Sequence, residues 1–188
     1  MKRAVVVIIS LIVLFMHPDP GFTQSAHKLE KLKIVIIRHG EKPPQGDNLN
    51  CQGLNRAMQL PAVIYAKFGI PDYVYVPELG LGESTQHARM FQTVLPLAAK
   101  YNLTVNTVHQ ERDSVQVAAD FKAKKGTILM VWEHKAIASI VRSLGVDDKN
   151  LRWPDSDFDS IWIITFPKGV PTLTKDKQGL KPSADCHF

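Results

Sequence analysis

Two histidines, His39 and His134, each stand just beyond a short apolar run, KIVIIR over residues 33–38 and ILMVW over residues 128–132. A free imidazole titrates near ~6.5, so a neutral ring able to act as a nucleophile is well populated near pH 7. Arginines accompany the histidines: Arg38 directly precedes His39, and Arg89 opens the segment Arg89-Met90-Phe91-Gln92-Thr93. A guanidinium fork holds an oxyanion through paired hydrogen bonds that lysine does not reproduce. A nucleophilic ring among fixed positive donors suits attack on phosphorus. Transfer there is mostly positioning and stabilisation of charge on the equatorial oxygens, and the nucleophile needs no metal.

For residues so far apart in the chain to meet, the elements carrying them must lie side by side. The run over 33–38 reads as a strand buried on both faces. Further strands are expected over 73–76, 103–108, 127–132 and 161–166. Helices are expected over about 53–68, from Ser84 or Thr85 to about 101, over 114–124 with Gly126 as terminator, and over about 135–144. Pro61 should kink or restart the first helix. A polar tail rich in Pro and Gly follows the last strand. Strands alternating with helices predict an α/β fold with a mostly parallel central sheet. In such an open sheet the carboxyl ends of the strands form the ligand crevice, and there His39 and His134 can converge.

Arg38-His39-Gly40-Glu41 resembles the opening signature of the histidine phosphatase (phosphoglycerate mutase-like) superfamily. Arg89-Met90-Phe91-Gln92-Thr93 is similar to that family's Arg-Ala-x-Gln-Thr helix, and residues 128–134 to the strand that delivers its second histidine. The likeness covers roughly residues 33–145. It implies a three-layer α/β/α sandwich, a covalent phosphohistidine on His39, and a phosphate pocket made by Arg38, Arg89 and a protonated His134, with neither metal nor cofactor.

The leaving alkoxide also needs a proton, usually from a carboxyl group tuned by its pocket. One branch of the superfamily draws this acid from between the second arginine and the second histidine, where Glu111 and Asp113 lie. Glu111 is the favoured donor. Another branch uses an Asp directly after the second histidine, but that position is Lys135 here, so the carry-over fails. Glu133, Glu41 and Glu83 remain alternatives. His87 and His109 read as surface side chains and Trp132 as packing at a strand end.

Other chemistries find no pattern to rest on. Cys51 and Arg56 have four residues between them, not the five of a cysteine-based phosphatase loop. There is no His-Glu-x-x-His helix, Cys-x-x-Cys pair or Gly-x-Ser-x-Gly elbow. Gly80-Leu81-Gly82 lacks the third glycine of a dinucleotide loop.

Met1-Lys2-Arg3, an apolar run over residues 4–16, then Pro18, Pro20 and Gly21, has the layout of a secretory signal peptide. The run is short for a membrane span, so cleavage after Ser25 is expected, leaving one catalytic domain over 26–188. That cut removes Lys2, Arg3 and Asp19 and lowers the formal charge from +5 to +4. So mild a surplus, with acids interspersed, does not describe a nucleic-acid surface, but it suffices for an anionic substrate. The only two cysteines, Cys51 and Cys186, either bridge in an oxidising compartment or remain free thiols.

The expectation is therefore an exported phosphomonoesterase, secreted or periplasmic, acting on a small or macromolecule-linked phosphate ester. It would have no nucleic-acid partner and no stable membrane insertion after processing. Alternatives are a phosphotransferase or phosphohistidine phosphatase of the same fold, or an inactive phosphate-binding module. Water is the expected final acceptor, because the 163 residues over 26–188 leave little room for the lids that keep a mutase intermediate from water.

Overall fold

The computed structural model describes residues 29–80 and 82–186. The expected signal peptide lies outside them, as does Leu81. The elements are β1 (Leu32–Arg38), α1 (Cys51–Phe68), β2 (Tyr73–Tyr75), α2 (Ala88–Tyr101), β3 (Val105–Asn106), α3 (Ser114–Lys122), β4 (Gly126–Trp132), α4 (His134–Ser143), β5 (Ser160–Thr165) and β6 (Thr172–Lys177). Their six strands form one sheet in the order β3-β2-β4-β1-β5-β6. The first four run parallel, β5 runs antiparallel to β1, and β6 antiparallel to β5.

Alternation along the central strands builds the three layers. Ile34 and Ile36 of β1, with Ile128, Met130 and Trp132 of β4, pack with Val117 and Phe121 of α3 and Ile137, Ile140 and Val141 of α4. Val35, Ile37, Leu129 and Val131 point the other way, to Leu60 and Ile64 of α1 and Met90, Val94 and Leu97 of α2. Burial on both faces explains why β1 and β4 read as unbroken apolar runs.

The expected order of elements holds, with several corrections. Helix α1 runs continuously from Cys51 through a buried Pro61 to Phe68, so of the two outcomes expected at that proline the restart does not occur. Helix α2 begins at Ala88, not at Ser84 or Thr85, because His87 takes a left-handed conformation with φ 57°. Strand β3 is only two residues long. The polar tail holds an unforeseen strand, β6, whose TLTKDK sequence is mostly exposed at the sheet edge. Charge at an edge is protective against pairing with other chains, but it removes the apolar alternation by which a strand is read.

Cys51 and Cys186 form a disulfide, with Cα atoms 4.9 Å apart across 135 residues of sequence. The tail also accepts hydrogen bonds from Asn55 Nδ2 at the carbonyls of Ser183 (3.0 Å) and Asp185 (2.7 Å). No helix among the described residues is long and apolar enough to cross a membrane.

Candidate active site

The β1–β4 register builds the site. Arg38 pairs with Trp132 at the last rung, so His39 and the dipeptide Glu133-His134 leave the sheet side by side. The His39 N–H still donates to the Trp132 carbonyl, at 3.3 Å.

His39 is fully buried. Its Nδ1 lies 2.6 Å from the Gly40 carbonyl, which only accepts, so Nδ1 carries a proton. The ring therefore presents Nε2, 3.1 Å from Oε2 of Glu133. Thr93 steadies the turn: its Oγ1 accepts from the Gly40 N–H at 2.9 Å and donates to the Arg89 carbonyl at 2.7 Å. Gln92 Oε1 accepts from the Leu49 N–H at 2.9 Å and so fixes the neighbouring loop. The Arg-x-x-Gln-Thr segment thus aims one side chain inward and ties down two loops.

Arg38 is 3% exposed. Its guanidinium lies 3.9 Å from the centroid of the Phe158 ring, and Nη1 donates to the Asp155 carbonyl at 2.5 Å. Arg89 brings Nη2 to 4.0 Å from Oε2 of Glu133 while Nη1 donates to the Gly46 carbonyl at 3.1 Å. His134 points Nε2 at Asp155 Oδ1, 3.1 Å away, and sets Nδ1 against Oε1 of Glu133 without hydrogen-bond geometry. All four expected side chains surround one carboxylate.

Among the described residues, three buried side-chain polar atoms have no hydrogen-bond partner: Nε of Arg38, Nε of Arg89 and Nδ1 of His134. An unpaired buried donor ordinarily costs about 1–3 kcal/mol, so the Nε–H groups of the two arginines mark positions suited to a further acceptor.

Burial works to raise the Glu133 carboxyl, but its hydrogen bond to His39 and the positive field around it, Arg38 included, outweigh burial and hold the pKa at about 2. His134 shifts the other way from the protonated donor expected of it. Burial and then Arg38 lower its pKa, against the pull of Glu133 and Asp155, so the free site favours the neutral ring. Burial lowers Arg38 too, opposed chiefly by Glu133, and a guanidinium stays charged at such a site. The ligand atoms of His39, Glu133 and His134 lie within 4.8 Å of one another, a spacing a divalent cation could bridge. The two bordering guanidiniums favour an anion instead.

The structure does not bring Glu111 into this group. Its carboxylate pairs with His87 Nδ1 at 2.9 Å, and it lines a neighbouring surface cavity of about 480 Å³ with Gln86 and Arg112. Its carbonyl accepts from the buried Trp132 indole at 2.8 Å. Asp113 Oδ2 accepts from the Gln110 N–H, Glu41 is clamped by Arg56 through contacts of 2.7–3.1 Å, and Glu83 is exposed. Asp155 and Phe158, from the loop between α4 and β5, were not singled out in the sequence. The acid-rich stretch 152–159 has no periodicity to reveal that it closes over Arg38.

By sequence, no family model and no curated protein matches the chain. Solved structures do. The protein histidine phosphatase SixA complexed with tungstate aligns with a TM-score of 0.60 at 16% identity, over 78% of this chain and 97% of that one. Phosphoserine phosphatase from Entamoeba histolytica, in complex with 3-phosphoglyceric acid, aligns at 0.56 and 16% identity, over 80% and 98%. Phosphoglycerate mutase from Bacillus anthracis aligns at 0.51 and 12% identity, over 82% and 93%. The chain has the histidine phosphatase, phosphoglycerate mutase-like fold.

Proposed function

We propose that this protein is an exported phosphomonoesterase that works through a phosphohistidine on His39. The carrying observation is that Nε2 of His39, Nη2 of Arg89 and Nδ1 of His134 all converge on the Glu133 carboxylate beside Arg38, with Nε of both arginines buried and without a partner. A phosphoryl group there would receive the lone pair of Nε2 while the arginines hold its equatorial oxygens. The N-terminus of α4, which begins at His134, adds its partial positive charge. Water then releases phosphate from the ring, with no metal in either step.

The Cys51–Cys186 bridge supports export, because disulfides persist in oxidising compartments. The exported protein should then begin near Ala26. The neighbour at TM-score 0.60 is a protein histidine phosphatase, and this favours a phosphohistidine as the second substrate reading.

The test is p-nitrophenyl phosphate turnover between about pH 4 and 8, where a tuned carboxyl and an imidazole titrate, with EDTA present, followed by acid-quenched labelling. A labelled wild type and an unlabelled His39→Ala are expected. Label retained by His39→Ala would move the nucleophile elsewhere. Phosphate binding without turnover would make the protein a binding module, and activity lost to EDTA and restored by Zn or Mg would end the metal-free mechanism.

A further inference from the structure

Glu133 holds the N-cap position of α4 but makes no capping hydrogen bond. A carboxylate there would ordinarily accept from the first free N–H groups of the helix. This one reaches across to β1 and places Oε2 3.1 Å from Nε2 of His39. With Nδ1 of that ring already donating to the Gly40 carbonyl, contact between Nε2 and Oε2 requires a proton between them. Glu133 therefore shares a proton with the one atom that must be bare to attack phosphorus.

We infer that Glu133 is the proton donor and acceptor of the reaction, a catalytic role that rests on the phosphatase reading. His39, His134, Arg38, Arg89 and Asp155 are the charged or titratable groups around the pair. Their combined field holds the Glu133 carboxyl in its ionised form. An arriving phosphate ester brings negative charge against the carboxylate, which raises its proton affinity and draws the proton onto Glu133.

The phosphoryl group takes the place held by Oε2, and the protonated side chain turns aside along the edge of the group. Nε2 forms the N–P bond, the ester P–O bond breaks, and the leaving oxygen takes the proton from Glu133. That leaves the alcohol, phosphohistidine and a Glu133 carboxylate. The carboxylate then accepts a proton from water as the water oxygen bonds to phosphorus. The N–P bond breaks, phosphate leaves, and Nε2 and Oε2 share one proton again.

A leaving group that needs no proton tests this role. Nitrophenolate departs as a stable anion, whereas the alkoxide of glycerol 2-phosphate must be protonated. Glu133→Gln should lower kcat/KM for glycerol 2-phosphate by about 10²–10⁴-fold, the usual worth of general acid catalysis, and lower it far less for p-nitrophenyl phosphate. Glu133→Asp keeps a carboxyl on a shorter arm and should show the same selective loss, so it serves if the amide variant does not fold. Equal losses on both esters would make Glu133 structural and overturn the inference, as would the selective loss appearing in Glu111→Gln and not in Glu133→Gln. No turnover of either ester by the unchanged protein would instead overturn the phosphatase reading, and this role with it.

Discussion

Nε2 of His39 and Oε2 of Glu133 lie 3.1 Å apart although 94 positions separate them in the chain. The Arg38–Trp132 rung of the parallel ladder sets that distance. The contact is also a link between pH and stability. The folded Glu133 pKa is depressed from an ordinary 4.5 to about 2, so its contribution is complete above about pH 5 and is lost as pH falls toward 2. Thermal unfolding of Glu133→Gln should show a deficit at pH 7 of about 3 kcal/mol, the usual cost of leaving buried charges unpaired. The gap to wild type should close between pH 5 and 2. A gap constant across that window would mean that the carboxylate is not ionised in the native state.

The two guanidiniums should each resist replacement by lysine. Arg38 stacks on Phe158 and donates to the Asp155 carbonyl, and Arg89 spans from the Gly46 carbonyl to the edge of the site. An ammonium keeps the charge but has no planar fork to do both tasks. Arg38→Lys and Arg89→Lys should each lower kcat by about 10²–10³-fold, comparable to losing one oxyanion donor, with circular dichroism unchanged. Wild-type kcat in either variant would remove that arginine from the phosphate pocket.

The contrast between these residues and those missed follows from how each is encoded. His39 and His134 were legible because each ends a strand whose apolar run is unmistakable. Arg89 was legible because Gln92 and Thr93 follow it at fixed spacing. The place of Glu133 at the centre of the site was not, because a residue beside a strand end can face either way and only the ladder register decides. Asp155 and Phe158 come from a loop whose path depends on what it packs against. Strand β6 escaped because only Leu173 among its six residues is apolar. Glu111 has the right residue type in the right interval, but its carboxylate turns to His87, and nothing in the local sequence marks that pairing.

A close backbone approach below the nucleophile makes a sharper structural prediction. A Cβ added at Gly53, in the first turn of α1, would lie 2.1 Å from the Glu41 carbonyl oxygen and 2.7 Å from its nitrogen. One added at Gly40 would lie 2.8 Å from the Gly53 carbonyl oxygen. All of these are main-chain atoms and cannot swing aside as a side-chain tip can. Gly53→Ala should therefore destabilise the fold by about 1–3 kcal/mol, as overpacking does, and lower turnover by displacing the turn that carries His39. Unchanged melting and unchanged kcat together would mean that the helix and the turn do not approach this closely.

The disulfide offers a prediction about stability that is separable from the chemistry. Cys51 opens α1 and Cys186 ends the tail, so the bridge closes a loop of 135 residues and restricts the unfolded chain. The hydrogen bonds from Asn55 to the Ser183 and Asp185 carbonyls hold the same segment but would not survive unfolding. Cys186→Ser should lower stability by about 2–5 kcal/mol. Wild type should lose a similar amount when dithiothreitol is added, and the serine variant should not respond to reductant at all. Denaturant unfolding of both proteins, with and without reductant, gives the four values needed. Wild type insensitive to reductant, with no accompanying thiol release, would show that these cysteines are unpaired in the purified protein. The tail would then be held by its backbone contacts alone.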